Sequence, residues 1–322
     1  MKYTNLGRSG LKVSRLCLGT MNFGPHTTEK DSFAILDHAL DQGLNFIDTA
    51  DVYGWKIGEG ITEKIIGRWL VQGGRRDKIV LATKVYGSMG KGVNDRGLSA
   101  YHIIQACDAS LKRLKTDHID LYQMHHVDRS TPWDEIWQAM EVLVQQGKVL
   151  YVGSSNFAAI DIVKAQYEAK SRHFMGLVSE QSLYNLNTRA IELELVPACL
   201  EYGVGLIPWS PLGGGLLGGV LTSTDTLRRQ EDSRKELIQK HLDQIQRYEK
   251  YCSELSKPPG QVALAWLLSR PAVTAPIIGP RTMDQLTDAL QALEVELSDE
   301  DHKCLDEIWP GPGGHAPEAY AW

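Results

Sequence analysis

Leu44-Asn45-Phe46-Ile47-Asp48-Thr49-Ala50-Asp51-Val52-Tyr53-Gly54 opens on a short apolar run and ends in a glycine-terminated turn. The run reads as a buried strand over residues 45–47 that delivers the Asp48 carboxylate at its end, with Tyr53 five residues later. Two further runs close in the same way. Ile79-Val80-Leu81-Ala82-Thr83 ends at Lys84, and Ile119-Asp120-Leu121-Tyr122-Gln123-Met124 ends at His125.

Outward from these three, strand-like runs alternate with helix-like segments along the chain. After a glycine-rich segment (Leu6-Gly7-Arg8-Ser9-Gly10-Leu11) suited to a hairpin, strands are expected at 16–19, 149–153, 177–179, 205–209 and 275–278. Amphipathic helices are expected between them, for example at 29–42, 99–114, 132–146, 159–170 and 189–202. The strands are too apolar to face water on one side, which is the mark of a parallel sheet covered by helices. Eight strand–helix units with no Pro/Ser linker between halves predict a (β/α)8 TIM barrel, a single domain over 1–322 with an N-terminal β-hairpin and extra C-terminal helices. The charged segment 222–240 after strand seven exceeds an ordinary βα loop; it is either a loop that folds over a ligand or a surface excursion.

Composition narrows the partners. A chain of 322 residues, 43% hydrophobic and 23% charged, is an ordinary globular protein. Its formal net charge of -6 and the lack of a Lys/Arg cluster argue against nucleic acid. The Met1–Gly7 stretch has no signal-peptide h-region, and no run of about 18 apolar residues suggests a membrane span. The cysteines at 17, 107, 199, 252 and 304 are odd in number and form no Cys-x-x-Cys pair, as expected of buried thiols in a reducing cytoplasm.

In such a barrel, side chains at the C-terminal strand ends converge on one face. Adjacent strands lie about 4.8 Å apart, so Asp48, Lys84 and His125 are expected along one arc with Tyr53 over it. These residue types suit proton transfer to a carbonyl oxygen. A tyrosine, with a reference pKa of about 10, can supply the proton if a nearby cation eases its loss. Lys84 is that cation, Asp48 anchors it, and His125 can orient the substrate oxygen. A metal at His125-His126-Val127-Asp128 is not expected, because neighbours on a strand point to opposite faces.

Gly213-Gly214-Gly215-Leu216-Leu217-Gly218 fits Gly-x-Gly-x-x-Gly literally. Ser210-Pro211-Leu212 separates it from its strand, and no strand follows until 275, so it reads as a glycine loop near a phosphate backbone and not as a Rossmann turn.

The chain resembles the aldo-keto reductase superfamily along nearly its whole length. The resemblance is carried by Leu18-Gly19-Thr20-Met21, Phe46-Ile47-Asp48-Thr49-Ala50 with Tyr53-Gly54, Ala82-Thr83-Lys84, and Asp120-Leu121-Tyr122-Gln123-Met124-His125. It continues through Gly153-Ser154-Ser155-Asn156-Phe157, Glu180-Gln181, Pro208-Trp209-Ser210-Pro211-Leu212 and Ile278-Gly279-Pro280-Arg281-Thr282. What the resemblance implies is an NADPH-dependent reductase of carbonyl compounds, the tetrad Asp48, Tyr53, Lys84 and His125 being catalytic. Gly19, Thr20, Met21 and Asp48 would lie beside the dinucleotide. Ser155, Asn156 and Gln181 would hold the nicotinamide carboxamide, and Trp209 would stack on the ring. Ser210, Pro211, Leu212, Gly214 and Leu216 would follow the pyrophosphate. Arg281 and Gln285 would reach the 2′-phosphate and Asp288 the adenine. Many members carry a lysine where this chain has Gly279, so Arg281 is left as the basic partner and use of NADH stays open.

The runs at 18–25 and 122–128 and the C-terminal 309–322 are similar to bacterial members, some acting on nucleotide-linked keto-deoxysugars and others on simple aldehydes and ketones. Phe23, Trp55, Tyr86 and His126 are candidate pocket walls because they flank the tetrad in sequence. The cytoplasmic β subunits of potassium channels share the resemblance and give the alternative, a cofactor-sensing partner module; the absence of a long N-terminal extension favours a free enzyme.

Overall fold

The computed structural model describes residues 1–54, 56, 58–221 and 232–320. Strands β1 (Tyr3–Asn5) and β2 (Lys12–Ser14) pair antiparallel as the expected hairpin. Eight parallel strands follow: β3 (Cys17–Gly19), β4 (Phe46–Asp48), β5 (Val80–Val85), β6 (Ile119–Met124), β7 (Val149–Ser155), β8 (Leu177–Gln181), β9 (Gly205–Leu206) and β10 (Ile277–Ile278). They neighbour one another in chain order, and β10 returns to pair with β3. The remaining seam is laced by Thr274 N to Leu206 O and Ile277 N to Pro208 O, both 2.8 Å. The fold is a (β/α)8 barrel.

Helices α1 (Glu29–Asp41), α2 (Ile61–Leu70), α3 (Ala100–Leu114), α4 (Trp133–Gln145), α5 (Ala159–Ser171) and α6 (Leu195–Tyr202) separate β3 to β9. Then come α7 (Asp232–Lys240), α8 (Leu242–Glu254) and α9 (Pro259–Leu268) before β10, and α10 (Met283–Gln291) and α11 (Asp299–Ile308) after it. Several starts are set by capping hydroxyls that accept the backbone N–H three residues on: Thr28, Ser99, Thr282 and Ser298. Trp69, Trp137 and Trp266 are fully buried in the three apolar clusters between the strands and their helices. Inside the barrel Cys17, Phe46, Val80, Ala82, Leu121, Val178 and Ile207 pack together, with Leu6 and Val13 of the hairpin region against them. This packing brings the chain so close that a Cβ on Gly7, at φ +54°, would sit 2.2 Å from Val178 O.

Four expectations shift. β5 continues to Val85, so Lys84 lies within the strand. The seventh strand is only Gly205–Leu206, Trp209 making an isolated bridge to Leu183. The helix expected over 189–202 is a 3-10 turn at Ala190–Glu192 followed by α6. Pro197 has no N–H to donate and its ring clashes with a carbonyl four residues back, so the helix starts just before it. Within 222–240, Asp232–Lys240 is helical and residues 222–231 lie outside the described residues.

Candidate active site

β4, β5 and β6 deliver the expected arc. Lys84 is completely buried, and its Nζ lies 2.6 Å from Asp48 Oδ2. The same ammonium donates to Thr49 O at 2.9 Å and to the Tyr53 hydroxyl at 3.1 Å. The other Asp48 oxygen accepts from Gln123 Nε2 and Gln181 Nε2, both at 2.9 Å. Every polar atom of the Asp48–Lys84 pair is thus engaged, the condition under which a buried ion pair is tolerated. The half-buried Tyr53 ring meets the His125 ring edge-on, with centroids 5.9 Å apart.

The protonation states follow from this packing. Burial alone would lower the Lys84 pKa, but the Asp48 carboxylate and the Tyr53 oxygen together hold it above its ordinary value. Burial raises Tyr53, and although Lys84 opposes this as expected, the phenol ends above its ordinary value. At rest Tyr53 is therefore a stored proton. Burial, with Lys84 and then His126 adding to it, pushes His125 down to about 2, so its imidazole is neutral.

Gln181 reaches the interior through an irregularity. β7 and β8 slip register between Val152 and Gly153, opposite Leu177 and Ser179, leaving Val178 as an extra residue. Val178 joins the barrel interior, and beyond the slip Gln181 also points inward to Asp48. Ser155 Oγ donates to Gln181 O at 2.9 Å. Asn156, in the left-handed region at φ +59°, donates to His125 O at 3.2 Å and Ser155 Oγ at 2.9 Å and accepts from Trp209 Nε1 at 3.1 Å. Ser155, Asn156, Gln181 and the half-buried Trp209 therefore adjoin the tetrad as one connected group.

The other expected cofactor residues fall into two stretches. Gly19 ends β3 in register with Asp48, and Thr20 donates through both N and Oγ1 to Asp48 O; Met21 is exposed beside them. Ser210 sits at φ +53° with Oγ accepting from Gly214 N, and Gly213, Gly214 and Gly215 all have positive φ. Pro211 is buried and Leu212 partly so. Leu216 departs from expectation. Its side chain is 2% exposed in a core cluster and its amide already donates to Gly213 O, so it is a packing residue. After β10, Gly279 O accepts from Asn22 Nδ2 at 2.9 Å, Arg281 Nε lies 3.4 Å from Asn22 Oδ1, and Gln285 Oε1 accepts from Arg281 N. Asp288 accepts from Gln261 Nε2 at 2.7 Å.

Of the pocket walls, Tyr86 and His126 stand at the tetrad: the His126 ring stacks on His125 at 5.3 Å and meets Tyr86 at 5.4 Å. The opposite-face argument for the two histidines fails, because β6 stops at Met124 and the alternation stops with it. Among the described residues no group of three or more His, Cys, Asp or Glu could hold a metal ion. Phe23 is a correction. It is fully buried with Leu18, Ile35 and Ile65 in the layer outside the barrel, and has no surface left for a substrate. Trp55 lies outside the described residues.

Gln123 and Asn22 contact expected site residues without being expected there themselves. Gln123 is readable as an uncharged amide near the end of the strand run 119–124, while nothing in the sequence marks Asn22 beyond its place in the run 18–25.

Comparison with known proteins agrees with this geometry. The aldo/keto reductase family matches residues 15–310. The chain is 56% identical to an uncharacterised oxidoreductase, YrpG, of Bacillus subtilis (strain 168), all of both chains being covered. It is 35% identical to a versiconal hemiacetal acetate reductase of Aspergillus parasiticus over 99% of this chain and 100% of that one. It is also 35% identical to a probable voltage-gated potassium channel subunit beta of Oryza sativa subsp. japonica, over 92% of each. The chain belongs to the aldo/keto reductase family.

Proposed function

We propose that this oxidoreductase is an NADPH-dependent carbonyl reductase whose proton donor is Tyr53. The observation that carries the reading is the double engagement of one buried ammonium: Lys84 Nζ holds Asp48 at 2.6 Å and the Tyr53 hydroxyl at 3.1 Å. Bound NADPH supplies the hydride. The donor set suits it: the Ser155, Asn156 and Gln181 side chains match a carboxamide, Trp209 offers a ring face, and Arg281 beside Asn22 offers a cation for a 2′-phosphate.

The chain's own residues do the remaining work. Neutral His125 donates a hydrogen bond to the substrate oxygen and turns it toward Tyr53. The Tyr53 hydroxyl passes its proton to that oxygen as negative charge develops. Lys84 stabilises the resulting phenolate, and Asp48 keeps the ammonium aimed. Tyr86 and His126 form the wall against which the rest of the substrate lies.

The substrate is a small carbonyl compound, either a simple aldehyde or ketone or a nucleotide-linked keto-sugar. The unpaired state of all five cysteines fits a reducing cytoplasm. A panel of both substrate classes followed by loss of NADPH absorbance tests the proposal. Turnover of some member supports it. Tight cofactor binding with no turnover of any would favour the second reading, a cofactor-sensing subunit, which the identity to a channel β subunit supports.

A further inference from the structure

Glu180 neighbours Gln181 on β8 but lies beyond the register slip on the other side of the strand. It is completely buried. Its donors are neutral: the Ser154 hydroxyl of β7, the Ser182 hydroxyl at 2.6 Å and the Phe157 amide at 3.1 Å. The buried Cys199 thiol of α6 is kept protonated by burial, with the Glu180 charge adding to it. Two of these donors, Ser154 and Phe157, come from the two ends of the turn 154–157, within which Asn156 is held in the left-handed region. A backbone of this kind at a residue other than glycine persists only where its surroundings impose it. Asn156 in turn fixes Trp209 Nε1 and the His125 carbonyl.

We propose that Glu180 is a positioning residue: its carboxylate clamps the turn 154–157 and so aims Asn156 and Trp209 at the nicotinamide. This rests on the cofactor assignment above. Protonation would replace an acceptor of three donors by a group with a donor of its own and loosen the turn. Burial pushes this carboxyl up to about 7, with the hydrogen bonds from Ser154, Ser182 and Phe157 opposing the rise. Cofactor binding would therefore fade as the pH falls through neutrality. If only the ionised form binds well, the apparent dissociation constant rises roughly ten-fold between pH 8 and pH 6, in proportion to the lost ionised fraction.

The test is fluorescence titration of the whole protein with NADPH and, separately, with NADH, whose lack of a 2′-phosphate removes that group's own titration. Wild type should weaken about ten-fold from pH 8 to pH 6 with both cofactors. Glu180→Gln should bind about ten-fold or more weakly at pH 8 and lose the pH dependence, and Glu180→Asp should restore it. Glu180→Gln that melts at a lower temperature but binds like wild type, with the same pH profile, would overturn the proposal. If Glu180→Gln does not fold, Ser182→Ala decides. Loss of one donor to the carboxylate should move the midpoint of the binding profile to higher pH, and an unmoved midpoint overturns the idea. Wild type that binds neither cofactor removes the functional reading itself, and this inference with it.

Discussion

Asp48 Oδ2 and Lys84 Nζ lie 2.6 Å apart with side-chain exposures of 3% and 0%, on neighbouring strands of the barrel. Neither charge can be hydrated, so each depends on the other. Removing one partner of such a pair typically costs about 3–5 kcal/mol, because the survivor is left buried and uncompensated. Asp48→Asn should therefore destabilise the fold by about that amount, and the double variant Asp48→Asn/Lys84→Met should recover part of it. Denaturant unfolding of Asp48→Asn, Lys84→Met and the double variant checks this. Strictly additive costs would show that the two side chains are not coupled.

A second prediction concerns His125. Its folded pKa is depressed to about 2, whereas in the unfolded chain it titrates near 6.5. Below about pH 6 the unfolded state binds a proton that the folded state refuses, so stability falls with acid at up to about 1.4 kcal/mol per pH unit. Above the unfolded value the two states are alike and the effect vanishes. His125→Gln should flatten the stability profile between pH 6 and pH 4 relative to wild type. An unchanged slope in that variant would place the histidine in a more polar setting than its packing indicates.

Arg281 stands beside Asn22 just after β10, where the proposed function would place the 2′-phosphate. Arg281→Ala should weaken NADPH by about 1.5–3 kcal/mol, the scale of a hydrogen bond to a charged group, and NADH far less. Parallel titrations with the two cofactors measure the difference. Equal losses would move the 2′-phosphate elsewhere.

Tyr86 holds a positive φ of 147° directly after β5, and its ring touches His126. Strained backbone at this point suits a side chain held for contact with a ligand. Tyr86→Ala should lower kcat/KM for bulky carbonyls, a keto-sugar or an aromatic aldehyde, more than for a glyoxal too small to reach it. Equal losses across that series would assign Tyr86 a purely structural role.

How far the sequence carries the account depends on the element. The long strands β5 and β6 stand out as apolar runs, and α1 and α3 start within a residue of where the amphipathic pattern puts them. β9 and β10, two residues each, leave too little pattern to bound. The tetrad is legible because its members end or follow apolar strand runs. The inward turn of Gln181 onto Asp48 is not. The extra residue Val178 decides that Gln181 faces the interior, and period-two alternation cannot reveal it. Phe23 misleads for a related reason: nearness in sequence to the mouth does not say which side of the barrel wall a ring occupies. His125 and His126 stack because the strand ends one residue before them.

The central claim is that Tyr53, primed by Lys84, gives the proton in carbonyl reduction. The measurement that bears on it most directly is the initial rate of NADPH oxidation with a reactive aldehyde, such as a nitrobenzaldehyde, for wild type and Tyr53→Phe, with the NADPH dissociation constant determined for both. The account predicts nearly unchanged cofactor binding and a rate lowered about 100-fold or more, the range for loss of a general acid. A Tyr53→Phe enzyme that turns over at the wild-type rate would contradict it.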